Sequence, residues 1–235
     1  MNCGFLRAQE ISENAKKYLS ILSAKPTPGF MFERFYGAWM EFSDTKALEE
    51  FLKKASIDTP TSENILLLAF YYQKEGQINQ ALGVFNSIEN AKLLTSEVLY
   101  YRARLESNAL NFSEAIKHID TAISLPLKED LKQKLLKLKA QVQYRNGDSA
   151  GARKTFEDLL AINEKDKAII EDVMEIQLSE GVYEDAKKYC QKLIDLATDN
   201  YEKVTYQLKM ATILKRLNDS ENSEKIYLEL IHLSG

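Results

Sequence analysis

Few residues in this 235-residue chain have the type and spacing for chemistry. Gly147-Asp-Ser149-Ala-Gly151 has the G-x-S-x-G spacing of a nucleophile elbow, in which a serine on a sharp strand-to-helix turn attacks an acyl carbon. That chemistry needs a preceding strand, an oxyanion hole and a downstream acid–histidine pair. Here the preceding segment, Leu131 to Asn146, has a helix pattern, and no His-Gly-Gly sequence occurs, so the pentapeptide reads as a turn. Two histidines, His118 and His232, are too few for a three-histidine metal site, and Cys3 and Cys190 cannot form a cysteine-based zinc site by themselves. No glycine precedes the Gly-Lys-Ser/Thr of a phosphate-binding loop. The acidic pairs Glu49-Glu50 and Glu171-Asp172 imitate a carboxylate dyad, but adjacent helical residues point about 100° apart, which makes them a solvated face. Trp39 sits with Phe32, Phe35 and Tyr36; Phe35 and Trp39 are four apart on one helix face, which reads as packing rather than a ligand box. No catalytic residue, cofactor or metal is expected, and the chain reads as non-enzymatic.

Composition narrows the class further. Hydrophobic residues make up 45% and charged residues 28%, which excludes wholesale disorder. With only 9 Gly and 4 Pro, a turn-dense β-sandwich is disfavoured. The longest apolar run, Ile65 to Tyr72, is far shorter than a membrane span. A net charge of −4 is the wrong sign for a dedicated nucleic-acid binder. The apolar stretch in Met1–Ala8 is too short for a secretory core, although Ala8-Gln9 would suit a cleavage site. A soluble chain is expected, without a complete targeting segment and with its compartment open.

The elements that must position any site emerge from an internal repeat. Ala81 in Gln-Ile-Asn-Gln-Ala-Leu-Gly-Val-Phe has counterparts at Ala47, Ala115, Ala152, Ala186 and Ser223, at intervals of 34 or 37 residues. Both intervals of 37 fit a 34-residue unit with three extra residues in a loop, around Leu125–Asp130 and Ala197–Glu202. Five residues before the shared alanine stand Gly76, Gly147, Gly181 and Asn218, types that tolerate a left-handed backbone at a helix end. Twelve before it stand Ala69, Ala103, Ala140 and Ala211, with Phe35 and Met174 as departures. Four after it come Phe51, Phe85, Ile119, Phe156, Cys190 and Tyr227, a core slot in which Cys190 is a small hydrophobe. Each unit is thus a helical hairpin: a helix, a turn at the glycine, and a second helix starting near the alanine. Small residues let the two backbones approach, and one hairpin cannot bury its apolar face without a neighbour.

This pattern resembles the tetratricopeptide repeat. The resemblance covers six units starting near Pro28, Ser62, Ser96, Gln133, Lys167 and Val204, with a half unit over residues 9–27. It implies an all-α fold, a right-handed superhelix of antiparallel helix pairs, here a single domain over residues 1–235. The family's aromatic early in the first helix is replaced by Met31, Ile65, Leu99, Leu136, Ile170 and Gln207, and its loop proline survives only as Pro60 and Pro126. The first unit lacks both the small residue and the glycine.

The resemblance also implies where function lies. Its first helices line a concave groove, and their second, fifth, ninth and twelfth positions touch a bound peptide. Carried onto this sequence, those positions give Phe70, Tyr100, Arg104, Lys137, Gln141 and Tyr144, followed by Glu171 and Glu175. A positive stretch at Arg104 and Lys137 is then expected beside a negative one at Glu171 and Glu175. The clamp by which some family members hold a C-terminal carboxylate is not matched, because Gln141 stands for asparagine and the next unit offers Asp172. The expected function is a non-catalytic module or scaffold that binds a protein or peptide partner. An architectural segment of a larger chain or assembly is the alternative, and an RNA-binding helical repeat is disfavoured by the acidic balance. At the ends, helix 9–23 lacks a first-helix mate, and helix 221–233 shows Ile226, Tyr227, Leu230 and Ile231 with no successor. Self-association through a terminal helix, or a longer parent array, is therefore expected.

Overall fold

A computed structural model describes residues 12–88 and 90–233. Cys3, Ala8-Gln9 and the first residues of the half unit lie outside the described residues, as does the side chain of His232. The described residues form α1 (Glu13–Ala24), α2 (Phe30–Met40), α3 (Thr45–Asp58), α4 (Ser62–Lys74), α5 (Ile78–Asn86), α6 (Ser96–Asn108), α7 (Phe112–Ser124), α8 (Glu129–Arg145), α9 (Ser149–Leu160), α10 (Lys167–Ser179), α11 (Tyr183–Leu196), α12 (Asn200–Arg216) and α13 (Ser220–Leu233), and no strand. These are the six hairpins and the additional helix that the repeat requires. The chain divides into two compact units, Met1–Glu114 and Ala115–Gly235, with the division inside α7.

Five of the six hairpins turn in the same way. The residue five before the shared alanine has positive φ in each: Gly76 (70°), Leu110 (63°), Gly147 (82°), Gly181 (74°) and Asn218 (61°). The next amide bonds back five residues, as in Gln77 N–H to the Tyr72 carbonyl (2.8 Å) and Asn111 N–H to the Glu106 carbonyl (2.8 Å). This is the Schellman termination, which satisfies carbonyls left over at a helix end. Leu110 takes the left-handed conformation without being glycine or asparagine, which its residue type did not signal. Helix starts are fixed by side-chain caps: Asp44, Thr61, Thr95, Asp148 and Asp199 each accept an amide three residues on. Gly147-Asp-Ser-Ala-Gly151 is one of these turns, preceded by helix α8 and not by the strand that a nucleophile elbow needs. A Cβ at Gly151 would lie 2.1 Å from the capping Asp148 carboxylate, so glycine leaves room for the cap.

The small residues sit where the hairpin logic puts them. Ala81, Ala103, Ala115, Ala140, Ala152, Ala186 and Ala211 are fully buried, as are Ile119, Phe156 and Cys190 in the adjoining slot. Two expectations need correction. The extra residues of units four and six extend helices instead of loops: α8 and α12 start at Glu129 and Asn200, about one turn early, and run 17 residues against 13 in α4, α6 and α10. Acidic residues in the new first turns, Glu129 and Asp130 in α8 and Glu202 in α12, suit the positive end of a helix. The second correction concerns the first hairpin, where Ala47 is only half-buried and Leu48 and Leu52 are buried instead. Phe35 occupies the small-residue position of α2, and Trp39 and Phe51 fill the space towards α3 at 5.0 Å between rings. Bulk there leaves no close approach for Ala47 to serve.

Candidate functional site on the first helices

In the unit Met1–Glu114, the candidate first-helix positions are Phe70, Tyr100 and Arg104. Phe70 is buried; its ring meets Phe32 at 6.1 Å and Tyr101 at 4.8 Å, both edge-on. It is a core residue and is corrected as such: its side chain offers nothing to a partner. Tyr100 and Arg104 are half-buried, and the Arg104 guanidinium lies over the Tyr100 and Tyr101 rings at 5.8 and 6.0 Å. That cation–π stack fixes the arginine head along the face.

In the unit Ala115–Gly235, the same positions are polar and more open. Lys137, Gln141 and Glu171 are half-buried and Glu175 is exposed, whereas Tyr144 is buried against Phe156, with ring centroids 5.9 Å apart. Tyr144 is thus a second correction, a core contact whose hydroxyl is pushed to higher pKa by burial. The charges are cross-linked between successive first helices. Lys137 on α8 pairs with Asp172 on α10, Glu175 on α10 pairs with Lys209 on α12, and Lys167 on α10 holds both oxygens of Glu202 on α12 at 2.6 and 2.7 Å. These partners are 34 or 35 residues apart, one repeat. Lys137 and Glu175 are thus each paired with an opposite charge on the next first helix, whereas Glu171 interacts with the Tyr206 hydroxyl. Lys167, then the Thr198 amide, hold the Glu202 carboxyl at about 2. Burial, then a hydrogen bond to Glu171, pushes the Tyr206 hydroxyl to about 12. The Cys190 thiol, buried and donating to the Tyr206 carbonyl at 3.3 Å, is likewise pushed to about 12, which makes it a poor nucleophile.

Beyond this ladder lies a feature that the residue-by-residue reading missed. A hollow of about 230 Å³ is lined by Leu178, Tyr183, Lys209, Thr212, Ile213 and Arg216. A neighbouring hollow of about 550 Å³ shares Thr212 and Arg216 and adds Lys215 and Tyr227. Thr212, Lys215 and Arg216 are exposed, with Leu208 at 42% accessibility on the same helix. Their spacing, 208, 212, 215, follows one face of α12. The positions used for the earlier units would have found them if continued into the sixth. Among the described residues, no group of three or more His, Cys, Asp or Glu is placed to hold a metal, and no helix is long and apolar enough to cross a membrane.

The sequence matches no protein-family model and no curated protein. Solved structures do match. A tetratricopeptide repeat protein from Parabacteroides merdae aligns over 94% of this chain and 80% of its own at 14% identity, with a TM-score of 0.59. PilF of Pseudomonas aeruginosa aligns over 94% and 92% at 16% identity with a TM-score of 0.55. Yeast Tom70 aligns over 92% of this chain and 46% of its own at 16% identity, with a TM-score of 0.54. At such identities the likeness shows the fold alone, and it agrees with the hairpins, Schellman turns and alanine contacts above: an all-α fold of successive helical hairpins similar to that of tetratricopeptide repeat proteins.

Proposed function

We propose that the protein is a non-catalytic interaction module that holds an extended or helical segment of a protein partner against α10 and α12. The observation carrying this reading is the hollow between Leu178, Tyr183, Thr212 and Arg216: concave, apolar at its floor, basic at its rim. Apolar and aromatic contacts supply most of the affinity of such a surface, while rim charges set orientation and respond to salt. Lys209 is already engaged by Glu175, which leaves Lys215 and Arg216 as the charges offered to an incoming acidic or C-terminal segment. The test is capture from the native source, identified by mass spectrometry, with the unaltered chain and with a Lys215→Glu/Arg216→Glu variant. Both side chains are exposed, so the variant keeps its fold. A partner retained by the first chain and lost by the second supports the face as the site, whereas a partner bound equally by both rules it out.

A second reading, an architectural segment that associates through a terminal helix, is favoured by α13. Its outer side exposes Tyr227 (38%), Leu228 (51%) and Ile231 (63%). Light scattering over a concentration series, repeated with Leu228→Glu/Ile231→Glu, tests it. A strict monomer at high concentration discards that reading.

A further inference from the structure

First helices of the second unit hand charges on to the next repeat, and α12 breaks that pattern. Lys137, fifth in its repeat, reaches Asp172 on α10; Lys167 and Glu175, first and ninth in theirs, reach Glu202 and Lys209 on α12. The same positions of α12 hold Val204, Leu208 and Thr212, none of which can carry an ion pair onward. Leu208 and Thr212 are exposed, in line with Tyr201 and Lys215, and Tyr201 is 83% accessible. Positions 201, 208, 212 and 215 lie on one face of the helix. The side that α8 and α10 turn towards a following first helix is therefore, on α12, uncharged over most of its length and open.

α13 continues this edge. Glu224, Tyr227, Leu228 and Ile231, spaced i, i+3, i+4 and i+7, are exposed along one face. The Ser223 hydroxyl donates to the Ala211 carbonyl at 2.8 Å and fixes α13 on α12. Tyr227 then shares a hollow with Thr212 and Lys215, so the two faces adjoin. Of the ten large apolar side chains exposed among the described residues, five lie on these two helices, and the others are scattered over α1, α2, α3 and two turns. Exposed apolar groups gathered in this way mark a contact surface.

Charge indicates what covers it. The edge carries both signs, Lys215 on α12 and Glu224 on α13, and among the described residues neither has an ion-pair partner in its own chain. The two helices are joined at residues 217–219, so both charges lie towards the turn end of the hairpin. An apolar edge with one cation and one anion near the same end is complementary to itself. About a twofold axis parallel to the helices, α12 of each copy lies on α13 of the other, and Lys215 meets Glu224 twice.

We infer that the α12–α13 edge binds the same edge of a second copy of this chain, through Leu208, Tyr227, Leu228 and Ile231 and two Lys215–Glu224 ion pairs. The inference rests on the self-association reading above and adds the α12 face, the charge pairing and the symmetry.

Sedimentation of the full chain over a concentration series, at low salt, tests it with Lys215→Glu, with Glu224→Lys and with the two variants mixed in equal amounts. Both side chains are exposed, so the variants keep their fold, which circular dichroism checks. The unaltered chain should dimerise, and each variant alone should dimerise about tenfold more weakly, because each sets two like-charged pairs across the axis. The mixture should recover the unaltered affinity, since a mixed dimer restores both opposite-charge pairs. Loss on charge reversal without recovery on mixing overturns the twofold pairing. Association abolished by Leu228→Glu/Ile231→Glu but indifferent to both charge reversals keeps the self-association reading and overturns this one. A strict monomer at high concentration overturns both and leaves the edge to a helix of another protein.

Discussion

The two compact units solve the same packing problem with different materials. In Ala115–Gly235, successive first helices meet at the repeat spacing of 34 or 35 residues, tied by Lys137–Asp172, Lys167–Glu202 and Glu175–Lys209. In Met1–Glu114, the corresponding ties are Glu33–Lys74 and Tyr36–Glu75, separated by 41 and 39 residues. The pair α2–α4 is thus slid by about one turn or more relative to its counterparts, at 1.5 Å per residue. The slide occurs where the small residue and the turn glycine are missing, and where Phe35, Trp39 and Phe51 hold α2 away from α3. Small residues at a helix contact fix both distance and register, because backbones touch and there is one way to touch. Aromatic side chains keep the core dry but permit another register.

The largest test of this contrast uses two residues at the same repeat position. Phe70 and Glu175 are both ninth in their units, one buried between aromatic rings and the other exposed. Phe70→Ala should cost about 3–5 kcal/mol, the range for deleting a buried phenylalanine. Glu175→Ala should stay within about 0.5 kcal/mol, since it removes one exposed ion pair. Urea unfolding followed by Trp39 fluorescence and circular dichroism measures both. Equal effects would erase the distinction between a filled and an open face.

A smaller effect separates regular from irregular hairpins. Ala81→Leu puts extra bulk at a fully buried helix approach and should cost about 1–3 kcal/mol by overpacking. Ala47→Leu, at the aligned but half-buried position, should cost no more than about 0.5 kcal/mol. A neutral Ala81→Leu would mean that α4 and α5 are not held by that contact.

What could be read from the sequence follows the same division. Six hairpins, their order and the turns at Gly76, Gly147 and Gly181 were legible because backbone sterics restrict those places to few residue types. The register of the first hairpin was not, because Ala47-Leu48 offers two adjacent apolar choices and nothing local selects between them. The candidate face was legible only as positions. Lys137, Glu171 and Glu175 lie on it, but a charge's partner is set by the neighbouring repeat, 35 residues away for Lys137. Phe70 and Tyr144 were misplaced because an aromatic at a groove position looks the same in sequence whether a partner or the protein itself covers it.

The ladder also gives the second unit a pH signature. Glu202 has its carboxyl lowered from 4.5 to about 2, chiefly by Lys167 and then by the Thr198 amide. A carboxyl lowered on folding stabilises above its unfolded pKa, and the contribution is lost as pH falls from about 4.5 towards 2. The melting temperature of the unaltered chain should therefore fall more steeply across that window than that of Glu202→Gln. Parallel curves would show that the α10–α12 tie carries no stability in solution, as exposed ion pairs often do not.

The smallest expected effect is a gain. Leu110 holds φ 63° at the hairpin turn before Ala115, where three of the other four turns of this type use glycine. A left-handed backbone brings Cβ against the following carbonyl, at a cost of about 1–2 kcal/mol for an ordinary residue. Its side chain is 66% exposed, so removing it forfeits little burial. Leu110→Gly relieves the strain, but glycine also loosens the unfolded chain, which offsets about 0.5–1 kcal/mol of the relief. The net expectation is a stabilisation of about 0.5 kcal/mol, read as a shift of the urea midpoint at unchanged slope. Gly147→Leu, the reverse change at an equivalent turn, should lose stability by a comparable or larger amount. If both changes destabilise, then the third turn is held by contacts of the leucine side chain, and the five turns are alike in backbone only.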